Sequence, residues 1–176
     1  MGLESVRTPK IEKELEEQES SCCPYCEIEI NLENSQIEHI KPKDKFPKLL
    51  ADHDNLVACC LESKRCGNSK GNKWDELFIN PTIENPEDYF EYDIKTGRII
   101  PIFKDGEKNK RAKYTIYLLN LNDNRLCDIR KIFIVQYMSN KEVKEYLKQF
   151  PSLRNLLSNE LFFTFCTDPK KLDKLI

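Results

Sequence analysis

The sequence is short of several things, and each shortage removes a class of protein. No apolar run approaches the roughly 18 residues needed to cross a bilayer, and mean hydropathy is −0.63. The opening MGLESVRTPKIEKELEEQ has no apolar core, so a secretory leader is not expected. Val6 stands where N-myristoylation wants Ser or Thr. There is no internal repeat and no low-complexity tail. Neither sign of charge dominates: 28 basic side chains face 30 acidic ones, and this balance alone speaks against a nucleic-acid binder. Only two histidines occur in 176 residues, so candidates for a neutral general base are few.

What is present is more specific. Eight cysteines in a chain without an export signal point to a reducing cytoplasm, where thiols more often hold metal than pair as disulfides. The charge comes in blocks. Residues 39–73 carry eight basic and four acidic side chains, and residues 95–113 carry seven and two. Residues 1–30 and 76–94 are acidic. A local basic surface can meet phosphate whatever the total charge.

Residues 8–20 read as an acidic helix with Thr8 as N-cap and Pro9 at its first position. Cys22 to Cys26 is a tight turn. Short strands are expected at 27–30, 36–40 and 55–60, with a helix starting in CGNSKGNKW. A hairpin is expected from a strand at 89–94, a turn at Lys95-Thr96-Gly97 and a return strand at 98–103. Asp105 to Arg111 reads as a charged loop. From about 112 onward the periodicity is helical, clearest at Val143, Tyr146, Leu147 and at Leu153, Leu156, Leu157, with Pro151 between. Trp74 and the apolar residues of 114–135 are expected to pack the second half onto the first. The division is then a helix over 1–20, a motif over 21–80 and an accessory region over 81–176.

Cys23-Pro24-Tyr25-Cys26 is a CxxC knuckle, and Cys60 with Cys66 offers a second pair 34 residues on, with Cys59 as an alternate. Four thiolates in a tetrahedron select zinc and close its shell, giving a structural site. The rivals are a redox CxxC, which needs a βαβ setting, and plain buried thiols. Cys22 and Cys59 are not expected to be ligands, and Cys127 and Cys166 read as core thiols. His39 ends a strand in Ile37-Glu38-His39-Ile40-Lys41-Pro42. A neutral imidazole can take a proton from water near pH 7, and a neighbouring carboxylate can hold a divalent cation. Phosphodiester hydrolysis needs both. The bland alternative is a partly exposed strand-end histidine.

The run CPYC, EHIKP, DNLVACC and CGNSKGNKW resembles HNH endonucleases of the ββα-metal family over about residues 20–80. The further INP, NPEDYFEYD and GRIIP segments are similar to PtuB-like HNH proteins of Septu-type and retron-linked anti-phage systems, weakly to about 135. The resemblance implies an α+β fold: a ββα-metal core braced by the zinc knuckle, with a mostly helical C-terminal half. It implies metal-dependent cleavage of DNA, by a cytoplasmic protein off the membrane that works beside an ABC/SMC-like ATPase.

The resemblance also implies roles. His39 is the general base, Glu38 the acidic ligand of a Mg²⁺-class ion, and Asn55 the asparagine that fixes the loop and the histidine. Asn68 or Asn72 supplies the third position on the helix, although the place directly after the last cysteine is Gly67. Lys70 is placed to meet phosphate. His53, in Asp52-His53-Asp54-Asn55, reads as a loop histidine. Lys41, Lys43, Lys45 and Lys48 flank the base, and Lys64, Arg65, Lys70 and Lys73 flank the helix. Two such runs bracketing one site could seat a DNA backbone. Of these, Lys41, Lys43, Lys70 and Lys73 are the candidate substrate contacts. The second block, Lys104, Lys108, Lys110, Arg111 and Lys113, extends that track or meets an acidic partner. A non-catalytic zinc-ribbon module binding nucleic acid or protein is the rival function. A nuclease silent until its ATPase binds is a further possibility.

Overall fold

The computed structural model describes residues 22–139, with side chains to 132. The expected helix over 8–20, the periodicity around Val143 to Leu157, and Cys166 lie outside the described residues. The chain enters through an antiparallel bridge between Cys22 and Glu29, which brackets the Cys23–Cys26 turn. The 27–30 segment supplies this bridge rather than a full strand. β1 (Ser35–His39) pairs antiparallel with β2 (Leu56–Cys60), setting Ser35 opposite Cys60 and His39 opposite Leu56. Alternation in SQIEH gives β1 two faces, and Lys41-Pro42 stops it.

The connection between the strands holds two 3-10 turns, Pro47–Leu49 and His53–Asn55. Asp52 caps the second by accepting from the Asp54 amide. After β2 comes α1 (Cys66–Lys70), a helix of five residues. It ends where Gly71 adopts φ +51, a conformation that suits glycine.

β3 (Phe90–Asp93) and β4 (Arg98–Pro101) form the expected hairpin, with Phe90 opposite Pro101 and Asp93 opposite Arg98. Gly97 has φ +68, and a Cβ there would come within 2.2 Å of the Cys127 carbonyl oxygen. The turn therefore needs glycine both for its backbone and for the helix packed on it.

α2 (Gly106–Leu119) and α3 (Asn124–Ser139) follow. The charged loop expected over 105–111 is corrected here: it is the first half of α2. Asn109, Ala112, Thr115, Leu118 and Leu119 are buried at helical spacing, while Lys108, Lys110 and Lys113 stay outside. Local charge density obscured that period.

One hydrophobic core runs from Cys23 through Val57, Phe78, Ile79 and Phe90 to Leu126, so the ββα segment and the second half are packed together. Trp74 lies against Phe46 and Phe78, at ring centroid separations of 5.9 and 5.5 Å. Ser69 Oγ donates to the Leu118 carbonyl at 2.9 Å, and Thr115 Oγ1 accepts from the Ile79 amide at 3.0 Å. The fold is α+β, with two small two-stranded sheets. Among the described residues no helix is long and apolar enough to cross a membrane.

Candidate metal centre and active site

The knuckle, the end of β2 and the start of α1 deliver four cysteines to one point. Sγ atoms of Cys23, Cys26, Cys60 and Cys66 all lie within 4.8 Å of one another, and all four residues are buried. Cys26 and Cys60 sulfurs are 3.8 Å apart. A tetrahedral zinc with bonds of about 2.3 Å would set its sulfurs about 3.8 Å apart. Glu27 just after the knuckle and Cys66 at the start of α1 both have positive φ, +62 and +56, at the two places where the chain bends onto this point. Charge gives a second argument. With no cation between them, the thiols compete for one negative charge. Hydrogen bonds from Cys23, Cys26 and Cys66 pull Cys60 far down, while Cys26 and Cys66 are pushed well up by their sulfur neighbours and burial. Four thiolates at this spacing require a cation, so the donor set fits a metal ion.

Arg65 is the counter-charge that sequence reasoning placed among the phosphate-facing cations. It is buried, and Cys26 and Cys60 hold its guanidinium charged against the opposing pull of burial. Its nearest carboxylates are Glu62 at 3.7 Å and Asp123 at 3.8 Å. Its position beside Cys66 in the chain was the signal available. Cys59 is buried but excluded from the set. Burial, then the Glu38 charge, push its thiol up to about 12.

His39 closes β1, and its Nε2 lies 3.1 Å from the Leu50 carbonyl oxygen. Asn55 makes that geometry possible. Its Oδ1 accepts from the Lys41 amide at 2.8 Å, and its Nδ2 donates to the carbonyls of Lys41 at 3.0 Å and Leu49 at 3.2 Å. One buried amide thus clasps both ends of the loop that presents Leu50. Nothing in the sequence marks Leu50, because a backbone carbonyl has no residue signature.

Glu38 faces away from that loop. Its Oε1 is 2.5 Å from Lys70 Nζ, and Lys70 also donates to the His39 carbonyl at 2.8 Å. A Cβ on Gly67 would come within 2.7 Å of Glu38 Oε2, so Glu38 fills the space that a side chain at 67 would use. Tyr25 is buried beneath, and burial, then Glu38 and Cys59, raise its phenol well above its usual value. Lys70 is 1 % exposed and fully engaged, so it is not presented to phosphate as expected; its task is inside.

Asn68 is exposed but committed. Its Nδ2 donates to the carbonyls of Leu61 and Glu62, both at 3.1 Å, and its Oδ1 accepts from Gln36 at 3.2 Å. Asn72 donates to Asp44 at 2.5 Å. Lys41 sits 5.6 Å from the Phe46 ring centre and 5.5 Å from that of Trp74, a cation held over two aromatic rings. Lys43, Lys45, Lys48 and Lys73 are exposed, as is His53. The structure therefore gathers the cysteines at one point and His39 with Asn55 at another, and it does not turn Glu38 and Asn68 toward a shared partner.

No family model matches the chain. The chain is 32% identical over 121 residues to Septu protein PtuB of Bacillus thuringiensis, covering 65% of this chain and 42% of that protein. It is 35% identical over 115 residues to "Retron Vc95 putative HNH endonuclease" of Vibrio cholerae, covering 59% and 53%. A third relative is Septu protein PtuA of Bacillus mycoides, 26% identical over 137 residues but only 18% covered. The chain spans about half the length of the first two curated relatives. On these matches the chain is similar to Septu PtuB and to the retron HNH protein over about three fifths of its length.

Proposed function

We propose that the chain is an HNH-type endonuclease that hydrolyses DNA, with His39 as general base. The observation that carries this is the hydrogen bond from His39 Nε2 to Leu50. A carbonyl can only accept, so Nε2 holds the hydrogen and Nδ1 keeps its lone pair. Nδ1 would take the proton of an attacking water. The water oxygen then bonds to phosphorus, and the bond to the leaving ribose oxygen breaks. Asn55 fixes the loop that sets this tautomer. Exposed Lys43 and Lys73 would hold phosphate, with Lys41 anchored between its rings.

Zinc is the ion we propose for the four cysteines, as a structural brace. A Mg²⁺-class ion enters on the resemblance alone; when bound, it would stabilise charge on the phosphate. Glu38 would be its carboxylate ligand and Asn68 its second donor. As arranged, Glu38 is neutralised by Lys70 and Asn68 is spent on Gln36, Leu61 and Glu62, so the pair does not fit that ion and no step is routed through it.

Relatives named as Septu proteins PtuB and PtuA support a place in a multi-component defence system; the ATPase subunit as partner and the cytoplasm as location rest on the resemblance alone. The test is nicking of supercoiled plasmid by the full chain with Mg²⁺ or Mn²⁺, alone and with a co-purified partner. His39→Ala should lower the rate by about 10²–10⁴-fold. Undiminished nicking by His39→Ala would remove the base assignment, while loss of zinc from that variant would mean the fold had been damaged instead.

A further inference from the structure

Two open clefts border α1 on the side of α2, and they share Ser69 and Lys73. One, about 680 Å³, takes in Lys45 and Tyr114. The other, about 570 Å³, runs between Lys73, the outer side of α2 at Lys113 and Tyr117, and β4 from Arg98. They adjoin at Ser69 and Lys73, and together they mark a groove that leaves the ββα segment and crosses onto the second half.

Its charge is one-sided. Neither cleft is lined by an Asp or a Glu. Lys45, Lys73, Arg98 and Lys113 are all exposed, and among the described residues none of them forms an ion pair. Lys70 also lines the groove, but Glu38 neutralises it. Two acidic groups border the lining without joining it: Asp44 is bound by Asn72, and Asp75 lies by Tyr114. Arg111, which lies outside the clefts, is by contrast neutralised by Glu84. The groove also presents an aromatic ring, since Tyr117 is 78 % exposed. Exposed cations along a track with a bare ring are the two elements that bind single strands: phosphates meet the cations and a base stacks on the ring.

We propose that this groove binds a single strand of nucleic acid, with backbone phosphates along Lys45, Lys73, Lys113 and Arg98 and one base on Tyr117. An acidic protein segment would satisfy the cations but would leave Tyr117 without a stacking partner. The inference goes beyond the cleavage reading, because binding here does not require His39.

The test is fluorescence anisotropy of a labelled oligo-dT, the matching RNA and a DNA duplex, using the full zinc-loaded chain carrying His39→Ala so that nothing is cut. Tyr117→Ala should weaken single-strand binding about 5- to 150-fold. Arg98→Gln with Lys113→Gln should flatten the plot of log affinity against log salt by about 0.7 for each cation removed. These side chains are exposed, and circular dichroism with zinc content verifies that each variant folds; Lys113→Arg should restore the slope. Unchanged affinity and slope in the variants, or no strand binding by the parent, would overturn the proposal. A preference for duplex that ignores Tyr117 would overturn it equally. Comparing DNA with RNA identifies the strand. Strand binding that persists where plasmid nicking is never seen would sink the cleavage reading and leave this one standing.

Discussion

Lys70 Nζ lies 2.5 Å from Glu38 Oε1 and 2.8 Å from the carbonyl oxygen of His39, so one buried ammonium ties the Glu38 side chain and the His39 backbone to α1. The Lys70 side chain is wholly enclosed and that of Glu38 is 14 % exposed. Removing one partner of such a pair strands the other charge, which costs about 3–5 kcal/mol. Lys70→Met is therefore expected to lower unfolding free energy in urea by that order. Glu38→Gln in the Lys70→Met background should recover part of the loss, because the stranded carboxylate is then gone. Equal stability of the single and double variants would show that the pair is not coupled. Lys70→Met also frees Glu38 for a cation, so calorimetric Mg²⁺ or Mn²⁺ binding should strengthen in it.

The cysteine cluster makes a separate prediction. Purified protein should carry one zinc per chain by elemental analysis, and a chelator should unfold the ββα segment, since structural zinc supplies about 10–16 kcal/mol in small domains. Cys60→Ser should lose the metal. Cys59→Ser, the adjacent residue, should keep it, because that thiol lies under Glu38 and Gly67, outside the set of four. Equal loss in both variants would mean that the ligands have been misassigned.

These two cases mark what was legible in the sequence. The four cysteines and the strand pair could be read because CxxC spacing and two-residue alternation are local patterns. The direction of Lys70 and Arg65 could not. Each points inward because of charge brought from far along the chain: Glu38 is 32 positions from Lys70, and Cys26 is 39 from Arg65. In sequence both residues sit among lysines that are solvated. Gly67 shows the same limit. Its place read as a missing third ligand, whereas its lack of a Cβ is what admits the Glu38 carboxylate. The segment 105–111 was hidden by its charge, although Asn109 and Ala112 already carried the helical period of α2.

Acid should loosen the packing of α2 through Glu84. That carboxylate accepts from both terminal nitrogens of Arg111, at 2.6 and 2.7 Å, and from the Tyr89 hydroxyl at 2.6 Å. The Arg111 hydrogen bonds hold its carboxyl down to about 2, from an ordinary value of 4.5. A folded-state value below the unfolded one means stability that is complete above pH 4.5 and is lost as pH falls toward 2. The midpoint of thermal unfolding should therefore drop across that window. Glu84→Gln should be less stable at neutral pH and should show a flatter acid limb. An identical limb in that variant would assign the acid loss to other carboxylates.

Asn55 is expected to act on cleavage through His39 without touching substrate. Its three side-chain hydrogen bonds hold Lys41 and Leu49, and Leu49 leads directly to the carbonyl that orients the imidazole. Asn55→Ala leaves two carbonyls and one amide without that partner, at a cost of about 1–3 kcal/mol for each group that stays buried. If the loop serves only stability, the variant should unfold more easily while the surviving folded protein cuts at the parent rate below its melting range. If the loop sets the imidazole, kcat should fall while KM holds, because strand contacts by the exposed lysines are untouched. Proton NMR of the imidazole is the direct check: the hydrogen should reside on Nε2 in the parent and exchange between both ring nitrogens in Asn55→Ala. A fixed Nε2 tautomer in both proteins would show that Leu50 is held by something other than Asn55.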